Sequence, residues 1–197
     1  MQSPLSKRLE GRRLILASGS PRRQQLLGEL GLEFTLGQIK DYDETYPANL
    51  TYDQIPAYIA EQKSIHYKGK LKPNDILITS DTIVAIDGDI LGKPKDKSEA
   101  IIMLRELSGK THHVVTGLCI RSTRKTVTIS DTCEVTFDIL SDEDIEYYID
   151  NFKPYDKAGG YAIQEWIGLS NIPKINGSVY TVIGLPVQKL YKALMKF

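Results

Sequence analysis

The sequence predicts an α/β domain built on a mixed β-sheet, and three observations carry that prediction. The segment DILITSD (75–81) is nearly all apolar, the pattern of a strand covered on both faces. Helix-type segments with recognisable ends, PRRQQLLGELG (21–31) and KSEAIIMLRELSG (97–109), interleave with strand-type segments. THHVVTGLCIRS (111–122) and KTVTISDTCEVTFDIL (125–140) then follow one another with the alternation of paired strands. The interleaving lacks strict βαβ regularity, which points away from a simple doubly wound sheet.

In chain order, RLILAS (13–18) reads as a strand. Ser20 is a suitable N-cap and Pro21 a suitable first helical residue, so a helix starts there and closes at Gly31. LEFTLGQI (32–39) reads as a second strand and DYDETYPANL (41–50) as a polar loop. TYDQIPAYIAEQKSIHYKGK (51–70) reads as helical despite Pro56, with Ile55, Ile59 and Ala60 on one face and Lys63 further along. DILITSD flows into TIVAIDGDILGKP (82–94), where Asp87-Gly88 marks a tight turn. Ser98 is the expected N-cap of the next helix and Gly109 its terminator. SDEDIEYYIDNF (141–152) opens with the acidic cluster that suits a helix N-terminus. After KAGGYAIQ (157–164), GLPVQKLYKALMKF (184–197) closes the chain as an amphipathic helix.

A length of 197 residues favours one domain, expected over 13–197, with 1–12 a loose N-terminal extension. Lys+Arg and Asp+Glu both total 25, so no global basic field draws the chain to nucleic acid or anionic lipid. No apolar run approaches membrane-spanning length, and the polar leader lacks the apolar core of a signal peptide. Cys119 and Cys133 fall in strand segments without Cys-x-x-C spacing, as buried reduced thiols do. A cytoplasmic address fits these features.

The chemistry concentrates in four segments. In SGSPRR (18–23), Arg22 and Arg23 occupy the first turn of a helix, where cations are unfavourable by roughly 0.3–1 kcal/mol each. An anion at that end reverses the penalty, met by backbone N–H groups and guanidinium forks, with Ser18 and Ser20 adding hydroxyls. The alternative is a capped surface helix whose arginines pair with acids elsewhere. In ITSDTIV, Asp81 is expected at the carboxyl end of an apolar strand, where it can hold Mg²⁺ or direct a water, with Lys93 of LGKP folding back by a short hairpin. In DKAGGYAIQ, Lys157 can neutralise phosphate and the Gln164 amide suits a nucleobase edge. In DYDETY, Glu44 is a candidate second metal carboxylate beside Asp41 and Asp43. Adjacent His112 and His113 point to opposite faces of a strand and do not chelate one ion together. Trp166 reads as a packing residue. There is no Walker A loop, nucleophile elbow or zinc-ligand spacing.

Together these segments resemble the Maf family of nucleoside triphosphate pyrophosphatases. The match runs from Leu14 to the C-terminus through LASGSPRRQQLL, SDTIVAIDGDILGKP, AIIMLRELSGKTHHVVTG, DKAGGYAIQ and INGSVYTVIGLP, in the family's order. The resemblance implies a fold similar to the inosine triphosphate pyrophosphatases: an elongated, curved mixed sheet flanked by helices, commonly a homodimer. It implies hydrolysis between the α and β phosphates with a divalent metal, Mg²⁺ or Mn²⁺, giving a monophosphate and pyrophosphate. It places Asp81 as proton acceptor and Ser18, Arg23, Glu44, Lys63, Lys93 and Lys157 at the remaining polar positions of the pocket; Asp81 and Glu44 are the candidate metal carboxylates. Arg22, Thr82 and Gln164 fall where base choice is tuned and look like the subgroup acting on dTTP and UTP. Glu165-Trp166 departs from the small residue many relatives carry after the glutamine.

Two other functions stay open on these residues. One is a house-cleaning pyrophosphatase for modified nucleotides. The other is a nucleotide-binding regulator of septum formation and cell division, against which Asp81 argues, since a sensor needs no water-directing carboxylate. No nucleic-acid or membrane partner is expected.

Overall fold

The computed structural model describes residues 2–197. The chain divides into two compact units. One comprises the chain up to Asp81, Thr116–Asp131 and Gly184–Phe197; the other comprises Thr82–Val115 and Thr132–Ile183. Strands β3 (Asp75–Ile86), β5 (Thr111–Arg121) and β6 (Thr126–Thr136) contribute residues to both.

The first unit also holds α1 (Pro4–Arg8), β1 (Arg13–Leu16), α2 (Pro21–Glu29), β2 (Thr35–Leu36), α3 (Ile55–Ile65) and α8 (Val187–Leu194). The second holds β4 (Asp89–Leu91), α4 (Lys97–Leu107), α5 (Asp142–Phe152), a 3₁₀ turn at Ala158–Gly160, α6 (Trp166–Asn171), β7 (Lys174–Asn176) and α7 (Val179–Ile183). Seven strands among the described residues pair in the order β2-β1-β3-β5-β6-β7, with β4 on β3. β1 runs parallel to β2 and β3, while β4 and β7 are antiparallel to their partners. The sheet is therefore mixed, as the irregular interleaving of segments predicts.

β1 lies against β3 from Arg13↔Asp75 to Leu16↔Ile78. Arg13 locks that register by donating from Nε and a terminal nitrogen to the two Asp75 oxygens at 2.9 and 2.6 Å. The Arg13 hydrogen bond is the main reason the Asp75 carboxyl titrates below its ordinary range. Ile15, Ala17 and Leu77 form a small core there with Ile39, Tyr67 and Leu71. In the second unit α4 and α5 pack over a larger core that includes Val84, Leu104, Phe137 and Tyr148. Cys119 and Cys133 are both buried, and no disulfide joins them.

Several boundaries differ from the sequence expectation. Within the stretch read as a loose extension, α1 forms on a Ser3 cap and Pro4, and Leu5 is fully buried. LEFTLGQI pairs with β1 only at Thr35–Leu36, and Ile39 instead bridges Tyr67. The α4 N-cap is Asp96 rather than Ser98: its carboxylate accepts from Glu99 N at 2.9 Å, and the Ser98 hydroxyl donates to it. An ionised carboxylate is the better acceptor for an uncapped N–H. The Asp87-Gly88 turn is as expected, with both residues at positive φ (52° and 96°), the geometry a two-residue hairpin requires.

Candidate active site

β3 has 12 residues, and Asp81 sits in its middle rather than at its carboxyl end. The reason is local. β1 stops at Leu16, and Ala17 N to Ile78 O at 2.9 Å is its last rung. Asp81 therefore lies just beyond the parallel pairing, where the chain of β1 turns away through Ser18, Gly19 and Ser20 into α2. Ser20 N donates to Ser18 Oγ at 3.2 Å, and Ser20 occupies the N-cap position without a side-chain bond to the helix.

Arg23 is used differently from a simple surface cation. Its guanidinium donates to Gly184 O at 2.7 Å, to Ser80 O at 2.9 Å and to Ser18 Oγ at 3.4 Å. Burial lowers its pKa; the charges of Asp81 and Glu44 oppose that shift and Arg22 adds to it. The sequence motif therefore assembles two neighbouring cations, of which Arg23 also braces the backbone beside Asp81.

Polar residues inside an apolar strand hold α3 and Asp81 in place. The Thr79 hydroxyl donates to Ala60 O at 2.5 Å and Ser80 Oγ to Gly117 O at 2.7 Å. Gly117 is required by proximity: a Cβ there would meet the Pro56 carbonyl carbon at 2.0 Å. With β3 held against α3, Lys63 reaches Asp81 Oδ1 at 2.6 Å and Glu44 Oε2 at 3.3 Å. Lys63 stands in the last turn of α3, where the macrodipole favours a cation.

Glu44 arrives from the acidic loop, which is pinned to the end of α3. Ile39 bridges Tyr67, Lys68 N donates to Gln38 O at 2.9 Å and Lys40 N to His66 O at 2.8 Å. The Tyr42 ring then stacks on His66 at 4.3 Å with planes 8° apart. Lys63 and His66 are one turn apart, so the helix end engages Glu44 with one residue and Tyr42 with the other.

The other named residues belong to the second unit. Thr82 follows Asp81 in β3 and is partly buried. Lys93 is exposed just after β4, and Gly159 N donates to Gly92 O at 2.9 Å, joining the LGKP and KAGGYAIQ segments. Lys157 is only 7% exposed and pairs with Asp156 at 2.7 Å and Glu165 at 3.3 Å. Glu165 also accepts from the Tyr148 hydroxyl at 2.5 Å, and Tyr148 accepts from Ala162 N at 3.0 Å. Burial, then the Glu165 contact, raises the Tyr148 pKa. Glu165 thus ties the segment to α5, a role the sequence does not signal, because Tyr148 lies 17 residues away. Gln164 is exposed, and Trp166 packs edge-on against Tyr147 at 4.8 Å.

Hard carboxylate oxygens set among guanidinium and ammonium groups are what a polyphosphate demands. Fold and site thus define an α/β protein on a mixed sheet with a cluster of carboxylates and cations where β1 gives way to α2. The family model for Maf-like proteins matches residues 13–197, and the chain belongs to that family. It is 46% identical over 188 residues to a dTTP/UTP pyrophosphatase of Bacteroides thetaiotaomicron, covering 95% of this chain and 97% of that protein. A dTTP/UTP pyrophosphatase of Flavobacterium psychrophilum is 47% identical over 97% of each chain. One from Porphyromonas gingivalis is 49% identical over 94% of each chain.

Proposed function

We propose that this chain hydrolyses dTTP and UTP to the nucleoside monophosphate and pyrophosphate. The observation that carries the reading is the convergence of Asp81, Glu44 and Lys63 beside Arg22 and Arg23. The activity named for the three relatives, each matched over nearly its full length, supplies the substrate.

Water attacks the α-phosphorus, the bond to the α–β bridging oxygen breaks, and pyrophosphate leaves with the electron pair. Asp81 accepts the proton of the water. Arg22, Arg23 and Lys63 stabilise charge on the phosphates, which is positioning and electrostatics rather than covalent catalysis. Ser18, Lys93 and Lys157 take substrate-binding roles, and Arg22, Thr82 and Gln164 tune the base, as the family resemblance assigns them. Pyrimidine preference rests on hydrogen bonds that a wrong base leaves unpaired.

A divalent cation fits the donor set. Among the described residues no cluster of three His, Cys, Asp or Glu gathers to hold one. Asp81 and Glu44 nevertheless face one point, the Lys63 ammonium, and two carboxylates completed by substrate phosphates suit Mg²⁺ or Mn²⁺. The cation would be held by those two residues and would supply charge neutralisation and a more acidic water. Among the described residues no helix is long and apolar enough to cross a membrane. We place the activity in the cytoplasm on the two buried thiols, and the family resemblance points to a homodimer.

The test is release of pyrophosphate and orthophosphate from the common nucleoside triphosphates, 7-methyl-GTP and 5-methyl-UTP, with Mg²⁺ or Mn²⁺. Pyrophosphate chiefly from dTTP and UTP supports the reading. Pyrophosphate chiefly from a modified nucleotide replaces the substrate, and binding without turnover replaces the enzyme with a regulator.

A further inference from the structure

Two buried side-chain atoms among the described residues lack a hydrogen-bond partner, His112 Nδ1 and the Tyr42 hydroxyl. A buried donor left unpaired lowers stability, and phenylalanine at position 42 would keep the ring stack on His66 without that cost. Such a group in a native fold calls for a use elsewhere. Tyr42 stands two residues before Glu44, on the loop that Lys40, Tyr42 and Glu44 together fasten to the end of α3. Glu44 is half-exposed, so the loop meets an incoming ligand at the surface.

We propose that Tyr42 is a hydrogen-bond donor in the reaction, its acceptor an oxygen that arrives beside Glu44 and Asp81 when the nucleotide binds. This rests on the pyrophosphatase reading above and adds to it a residue to which neither the motifs nor the resemblance assigns a role. The phenol is the complement the carboxylates lack: Asp81 and Glu44 only accept, whereas a phosphate oxygen or an attacking water also needs a donor. A neutral donor supplies that contact without adding charge to a site already holding three cations.

The test is Tyr42→Phe in the full chain. It compares kcat and KM for UTP, affinity for a non-hydrolysable α,β-imido-UTP and the thermal midpoint, with kinetics normalised to folded protein. The expected result is a midpoint equal to or above wild type with kcat/KM lower by about tenfold, the scale of one hydrogen bond. Weaker analogue binding places the acceptor on the nucleotide; unchanged binding with lower kcat places it on the water. Either result supports the donor role. Normalised kinetics equal to wild type, at any midpoint, overturn it and leave Tyr42 as packing. A wild-type protein that releases no pyrophosphate from any triphosphate fails the underlying reading first, and this inference with it.

Discussion

Lys63 Nζ stands 2.6 Å from Asp81 Oδ1, and both side chains are 14% exposed. The carboxylate is thus presented to the site yet held by a fixed partner. Asp81→Asn keeps the shape and an oxygen to accept from Lys63, but it removes the base. Pyrophosphate release from UTP is expected to fall by about 10²–10⁴, with the thermal midpoint within a few degrees of wild type. A folded Asp81→Asn protein that retains activity sinks the assignment.

The same ammonium claims the two oxygens that a divalent cation would take. Without nucleotide, Lys63 and Mn²⁺ compete for Asp81 and Glu44. Lys63→Met is therefore expected to bind Mn²⁺ more tightly than wild type, read from the free-ion signal in electron paramagnetic resonance. Its turnover is expected to fall, because a phosphate partner is lost. Equal or weaker Mn²⁺ binding in the variant means that the lysine does not hold the cation's place.

Much of this site is legible along the chain, and the remainder is not for physical reasons. Ser20 and Pro21 announce α2, and Asp87-Gly88 the β3–β4 turn, because caps and tight turns are set by local backbone chemistry. Asp81 is recognisable, but its place within β3 depends on where β1 ends, a matter of strand pairing. Arg23 reads as a phosphate ligand from its helix position, whereas its brace to Gly184 O spans 161 residues. Ser98 competes with Asp96 for the same cap, and composition alone does not rank them. Tyr42 gives no signal, since an orphaned hydroxyl exists only once the loop is folded onto α3.

Arg23 is expected to serve stability as well as function. Removing Arg23 strips donors from Ser80 O and Gly184 O beneath the site, at a cost of about 2–4 kcal/mol. Arg23→Ala should shift the urea midpoint markedly. Arg22→Ala should raise KM. An unchanged urea midpoint for Arg23→Ala would remove the bracing role.

Gln164 is exposed at the end of the KAGGYAIQ segment, so its amide is not consumed by packing. Gln164→Ala is expected to change the ratio of UTP to GTP turnover more than the total rate, with stability unaltered. A fixed ratio in competition assays means that Gln164 does not read the base.

His112 sets the response to acid. It is fully buried in β5, its Nε2 lies 2.7 Å from the Tyr161 hydroxyl, and its Nδ1 has no partner. Burial, aided by the neighbouring His113, pushes its pKa from 6.5 down to about 3. The unfolded chain therefore binds this proton more readily than the folded chain between those values. Stability is full above about pH 6.5 and is lost as pH falls through that window, by up to about 1.4 kcal/mol per pH unit. The Asp75 carboxyl, held low by Arg13, adds its own loss only below about pH 4, where an unfolded aspartate takes up its proton. Urea unfolding at pH 7.5, 6.0 and 5.0 isolates the histidine. Wild type should weaken across the series, and His112→Gln, which keeps a partner for Tyr161 without titrating, should weaken less. Parallel losses in the two proteins would show that His112 is not the group responsible.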